Sequence, residues 1–175
     1  MKKVAILGGC AAALVTAGVL VGLAAAGKAD QGGFIGPGGL GADINLVLEV
    51  LLVLGLTFGY LLVRKGNVEA HRVNQTIWVL VNAALVSSIM VEAILGFKLN
   101  SFADLADPGI LVTWLHAAIG AFTVVGGIWL VLQMNDVLPA RFHVRWWKTL
   151  MRLTLAGYWA VALLGLATYY FWYAA

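Results

Sequence analysis

Charge is what this sequence has least of. Lys, Arg, Asp and Glu make up 11% of its 175 residues, against about 25% in a soluble domain. With 62% hydrophobic residues and a mean hydropathy of +0.95, the shortfall excludes a water-soluble globular domain and points to an integral membrane protein. Cysteine is nearly absent. One residue, Cys10, excludes an intramolecular disulfide and any Cys-rich zinc or iron–sulfur site. Leu7-Gly8-Gly9-Cys10 has too few apolar residues before it for a lipoprotein cleavage box, so a buried structural thiol is expected. No Lys/Arg cluster interleaves with aromatics, which excludes a nucleic-acid face. The net charge of +3 is assigned to membrane topology. No nucleophile–base arrangement is present, and the glycines of residues 27–43 follow no strand, so neither a hydrolase nor a phosphate-cradling loop is indicated.

What remains is apolar runs. About 20 apolar residues cover the ~30 Å hydrocarbon core, and five runs qualify: Val4–Ala26, Ile44–Val63, Gln75–Phe97, Gly109–Gln133 and Trp146–Tyr173. The first could be a signal peptide cleaved at Ala24-Ala25-Ala26. It is longer than a typical h-region, which favours an uncleaved span. Residues 28–43 form a glycine-rich connector in which Pro37 and the glycines break any helix. Phe34, Ile35 and Leu40 are expected to rest on the membrane interface. The expected fold is all-α: five transmembrane helices, with residues 1–27 the first span, 28–43 an outer connector and 44–173 a four-helix membrane bundle. Lys2 and Lys3, then Arg64, Lys65 and Arg72, then Arg141, Arg145 and Lys148 fall on one side, and the other loops lack a basic excess. The positive-inside rule then puts the N-terminus inside and the C-terminus outside, as in a multi-pass protein of a prokaryotic inner membrane. Trp146-Trp147 and the run Tyr169 to Tyr173 read as interfacial belts.

Few residues in these runs carry chemistry. His71, Gln75, Asn82 and Glu92 share roughly one third of the surface of one helix. Such a stripe should face partner helices, because polar groups in hydrocarbon must find partners. Glu49, Glu92 and His116 lie at one depth, in the outer third of the membrane, and are a candidate metal set. Carboxylate with imidazole suits zinc, iron or copper(II). A neutral His116 bonded to Glu92 or a carbonyl, or a proton-handling group, are the alternatives. Thr113, His116, Gly120, Thr123 and Gly127 share a face of small residues that admits close helix packing. Trp147, Leu150, Thr154, Tyr158 and Gly165 form a stripe that reads as core. His71 and His143 lie at matched height just before their spans. They are either interfacial anchors or a pair for haem iron or copper, since bis-histidine ligation needs two imidazoles on different helices. Arg141 and Arg145 would pair with haem propionates or lipid phosphates.

The segment Gly66-x-x-Glu69-Ala70-His71-Arg72, Leu115-His116 opening a glycine-rich span, and Arg141-x-His143-x-Arg145 leading into a span with Tyr158 and Trp159 resemble the YozB/CtaM family of small membrane proteins. The likeness covers about Leu46 to Tyr170. Members are linked to maturation of haem–copper terminal oxidases. The resemblance implies a non-catalytic assembly role beside oxidase subunits, with haem b or copper handled at His71, His116 and His143. Glu49 and Glu92 are not part of that pattern. A second likeness is to four-helix haem b cytochromes, but those place paired histidines deep in spans, and only His116 is deep here. Three functions follow: an oxidase accessory factor, a bis-histidine haem b protein in quinone-linked electron transfer, or a structural subunit of a larger complex.

The five-span arrangement makes a direct prediction. Cysteines introduced at Asn67 and at Ser101, with Cys10 replaced, should be labelled from opposite faces of sealed vesicles. Labelling from the same face would overturn it.

Overall fold

The computed structural model describes residues 2–26, 32–90 and 102–174. Those residues are almost entirely helical: α1 (Lys2–Ala25), α2 (Leu40–Arg64), α3 (Val68–Leu85), α4 (Pro108–Met134) and α5 (Trp147–Tyr173). Four of them, α1, α2, α4 and α5, are long and apolar enough to cross a membrane. α3 starts seven residues before the predicted third span and runs into a π-helical turn, Val86–Met90. The rest of that span, including Glu92, lies outside the described residues.

Local signals set the helix starts. The Asn67 side chain accepts from the Ala70 N–H at 3.1 Å and caps α3. Asp107 does the same for Ile110 at 3.0 Å, with Pro108 opening α4 where its missing N–H costs nothing. α2 begins at Leu40, so Asp43 belongs to its first turn rather than to the connector.

α2 packs against α3 and α5, and α4 against α3 and α5. Leu52, Val53 and Leu56 of α2, Val79 of α3, Val131 of α4 and Tyr158 and Ala162 of α5 meet as one buried core. α1 lies against α3, where Gly9 sits over Thr76, Ile77 and Leu80. Cys10 is one position round from that contact and is exposed, which corrects the expectation of a buried thiol: only the Ala5, Gly9 and Leu20 side of α1 is covered.

The helices alternate in direction. At one end Lys2 pairs with Asp136, and Lys2, Arg72 and His143 all act on the Asp136 carboxyl, the Lys2 hydrogen bond most strongly, holding it below the usual carboxylate range. That end gathers the starts of α1, α3 and α5 and the exit of α4. At the other end Asp43, at the start of α2, meets Tyr169, near the end of α5, at 2.5 Å. Gly109, at the start of α4, packs there beside Phe171.

Asp43 organises this second end. It has no exposed surface, and its carboxylate accepts the Phe34 and Ile35 N–H groups at 2.5 and 2.6 Å as well as the Tyr169 hydroxyl. A buried carboxylate needs several donors. The connector supplies them by folding back on itself, with the Gly33 N–H donating to the Gly38 carbonyl at 3.0 Å. Phe34 and Ile35 are left 64% and 49% exposed. Asp43→Ala should therefore raise amide exchange at Phe34 and Ile35 to the rate of an unstructured loop, and Tyr169→Phe should raise it by less. Unchanged protection in both variants would show that the connector is held by something else.

Candidate functional site

α3 carries a polar ladder, and its rungs end on the backbone of α2. The His71 Nδ1–H donates to the Gly59 carbonyl at 2.7 Å, Asn74 Nδ2 to the Gly55 carbonyl at 2.8 Å, and Gln75 Nε2 to the Leu56 carbonyl at 3.0 Å. Gly59 makes this possible, because a Cβ there would meet the amide nitrogens of Asn74 and Gln75. About two turns beyond Gln75, Asn82 donates to the Tyr158 hydroxyl of α5 at 3.3 Å. His71, Gln75 and Asn82 of the expected stripe thus face partner helices, and Glu92 lies outside the described residues. Asn74 joins it, although its position beside Gln75 gave no separate signal in the sequence.

His71 and His143, either interfacial anchors or a ligand pair by the sequence, each bond to a backbone carbonyl. His71 is buried between α2 and α3. His143 is exposed, follows a short turn at Ala140–Phe142, and gives its Nε2–H to the Leu138 carbonyl at 3.0 Å. Among the described residues no hydrogen bond joins the two rings.

Glu49 and His116, on α2 and α4, are brought together. His116 Nε2 is 3.4 Å from Glu49 Oε1, with both side chains under a tenth exposed. The opposite ring nitrogen is 3.1 Å from the Val161 carbonyl of α5. A carbonyl only accepts, so Nδ1 carries the proton and Nε2 of the neutral ring is a bare acceptor. Nε2 makes no hydrogen bond; it lies within electrostatic reach of the carboxyl but outside hydrogen-bond geometry.

The floor of this site is Gly165. A Cβ there would collide with Glu49 Oε2 and lie 3.3 Å from His116 Cε1. Gly165 was legible as part of a packed stripe, but its contact with Glu49 depends on how α2 crosses α5. The Val161 carbonyl left no trace in the sequence, being backbone. Beside the carboxyl lies a cavity of about 70 Å³ lined by Glu49, Asn82 and Tyr158 together with apolar residues such as Leu52, Leu85 and Ala162. Its surface is mostly apolar. Among the described residues no three His, Cys, Asp or Glu side chains cluster as a metal set; Glu92, the third member expected from depth, lies outside those residues.

No protein-family model, curated protein or solved structure matches this chain.

Gly165→Ala is expected to destabilise the protein by about 1–3 kcal/mol, the usual cost of overpacking a tight site. Gly18→Ala, on α1 with nothing within 4 Å of its Cβ, should be neutral or slightly stabilising, since Ala is favoured over Gly within a helix. Denaturant unfolding in detergent measures both. Equal stability of the two variants would mean that Glu49 is not held against Gly165.

Proposed function

We propose that this chain is a multi-pass accessory factor of a membrane respiratory complex, assisting maturation of a haem–copper terminal oxidase by handling copper or haem through its histidines. In this reading five spans cross a prokaryotic inner membrane with the N-terminus inside, and the other four helices form a bundle beside α1. The resemblance to the YozB/CtaM family supplies the partner, terminal oxidase subunits. The observation that carries the chemistry is the buried imidazole of His116, whose coordinating nitrogen makes no hydrogen bond and faces the Glu49 carboxyl. An ionisable pair inside apolar helices is expensive to keep, by ~2.5–3.5 kcal/mol per charged group at the membrane centre, and such groups mark function more often than scaffolding. Each of the three histidines bonds one ring nitrogen to a backbone carbonyl, and His116 differs in that its second nitrogen is buried and faces a carboxyl.

The test is genetic and spectroscopic. Loss of the chain should lower the haem and copper content of the terminal oxidase in the same membranes several-fold. Supplying His116→Ala should leave the defect, whereas the wild-type chain restores the metal content. Full restoration by His116→Ala, His71→Ala and His143→Ala alike would remove the histidines from the role. A haem spectrum in the purified wild-type protein would favour the electron-transfer alternative.

A further inference from the structure

We propose that Glu49 and His116 are the two protein ligands of a seat for a borderline divalent cation, zinc or copper(II), whose remaining coordination positions are left to water or to a donor from a partner. The inference rests on the accessory-factor reading and narrows it, making the cargo a metal ion rather than a haem.

Three features of the pair support it. The first is spacing. Two ligands at ~2.0–2.2 Å from a tetrahedral ion stand about 3.3 Å apart, and Nε2 and Oε1 stand 3.4 Å apart. That separation is too long for a good hydrogen bond. The second is orientation. A metal-bound histidine nearly always donates its other ring N–H to a carboxylate or backbone carbonyl, which fixes the tautomer and aims the coordinating nitrogen. The Val161 carbonyl, 3.1 Å from Nδ1, does this, and the nitrogen it frees is buried and unpartnered. The third is room on the Glu49 side. A cavity of about 70 Å³ lies against the carboxyl, with Asn82 and Tyr158 in its wall.

The donor set names the ion. One imidazole nitrogen and one carboxylate oxygen suit zinc or copper(II), whereas copper(I) prefers sulfur. The lone cysteine, Cys10, is exposed on α1, which packs against α3 rather than against the helices that bear the pair. A seat with only two protein ligands holds its ion less firmly than a closed four-ligand site and can release it to a better one, as an assembly factor must. Coordination requires the imidazole nitrogen and the carboxylate to be free of protons, so the seat competes with protons for its ion.

The experiment is titration of the purified full chain in detergent with zinc, and with cobalt(II) as a visible reporter. Wild type should bind one ion, and bind it more weakly as the pH falls, because both ligands must be free of protons to coordinate. Bound cobalt should show the strong visible absorption of a four-coordinate ion. His116→Ala and Glu49→Gln should each weaken binding at least as much as the ~10–100-fold that follows loss of an outer-shell partner. Cys10→Ala should bind as wild type does. Circular dichroism separates loss of the seat from loss of fold, and the titration of wild type needs no variant. No saturable binding by wild type, or binding that survives both ligand substitutions, would overturn the seat. If wild type binds no ion but loss of the chain still lowers oxidase metal content, the seat fails and the accessory role stands.

Discussion

A polar side chain between apolar helices has no water to fall back on, and the interior of this protein is arranged around that constraint. His71, Asn74 and Gln75 spend their donors on carbonyls of α2 that already serve the helix ladder, using the second lone pair of each. Asn82 reaches Tyr158, and Thr57, Thr113 and Thr123 bond back to their own helices. Each such bond fixes one helix against its neighbour or removes a hydroxyl from the interface. Since apolar side chains gain little from one another when lipid is the alternative, these contacts and the close approach of small residues determine which helices are neighbours.

The Glu49–His116 pair stands apart because it is not fully resolved in this way. One nitrogen of the ring is satisfied by backbone, and the other is held near a carboxyl at a distance that suits a shared ion better than a shared hydrogen bond. Every helix of the α2–α4–α5 corner contributes: α2 the carboxyl, α4 the ring, α5 the Val161 carbonyl and the bare floor at Gly165. A site built from three helices is positioned by the packing of the core. Strain anywhere in the Leu52–Val79–Tyr158 cluster would be felt there, because such interiors are close-packed.

Asp43 shows the same constraint at one end of the helices. Its carboxylate collects backbone N–H groups from a glycine-rich connector and a hydroxyl from the far end of α5. It joins two segments separated by more than a hundred residues. The glycines that break the helix in this stretch also allow the chain to wrap an anion closely.

The sequence alone determined the helical class and the ends of four apolar segments to within a few residues, because hydropathy, capping residues and prolines act locally, whereas α3 starts seven residues before the predicted third span. It also determined that the stripe on α3 must face partners and that Glu49 and His116 lie at one depth, since helical rise and periodicity fix depth and direction along a single helix. Tertiary structure alone decided that α2, rather than another helix, receives the rungs at His71, Asn74 and Gln75. It decided too that Cys10 faces outward, that Asp43 is a hub, and that His116 turns its spare nitrogen to Glu49 while Val161 takes the other. Those outcomes depend on which helices are adjacent and how they are rotated, and on backbone carbonyls and missing side chains, which every sequence has and no residue pattern marks.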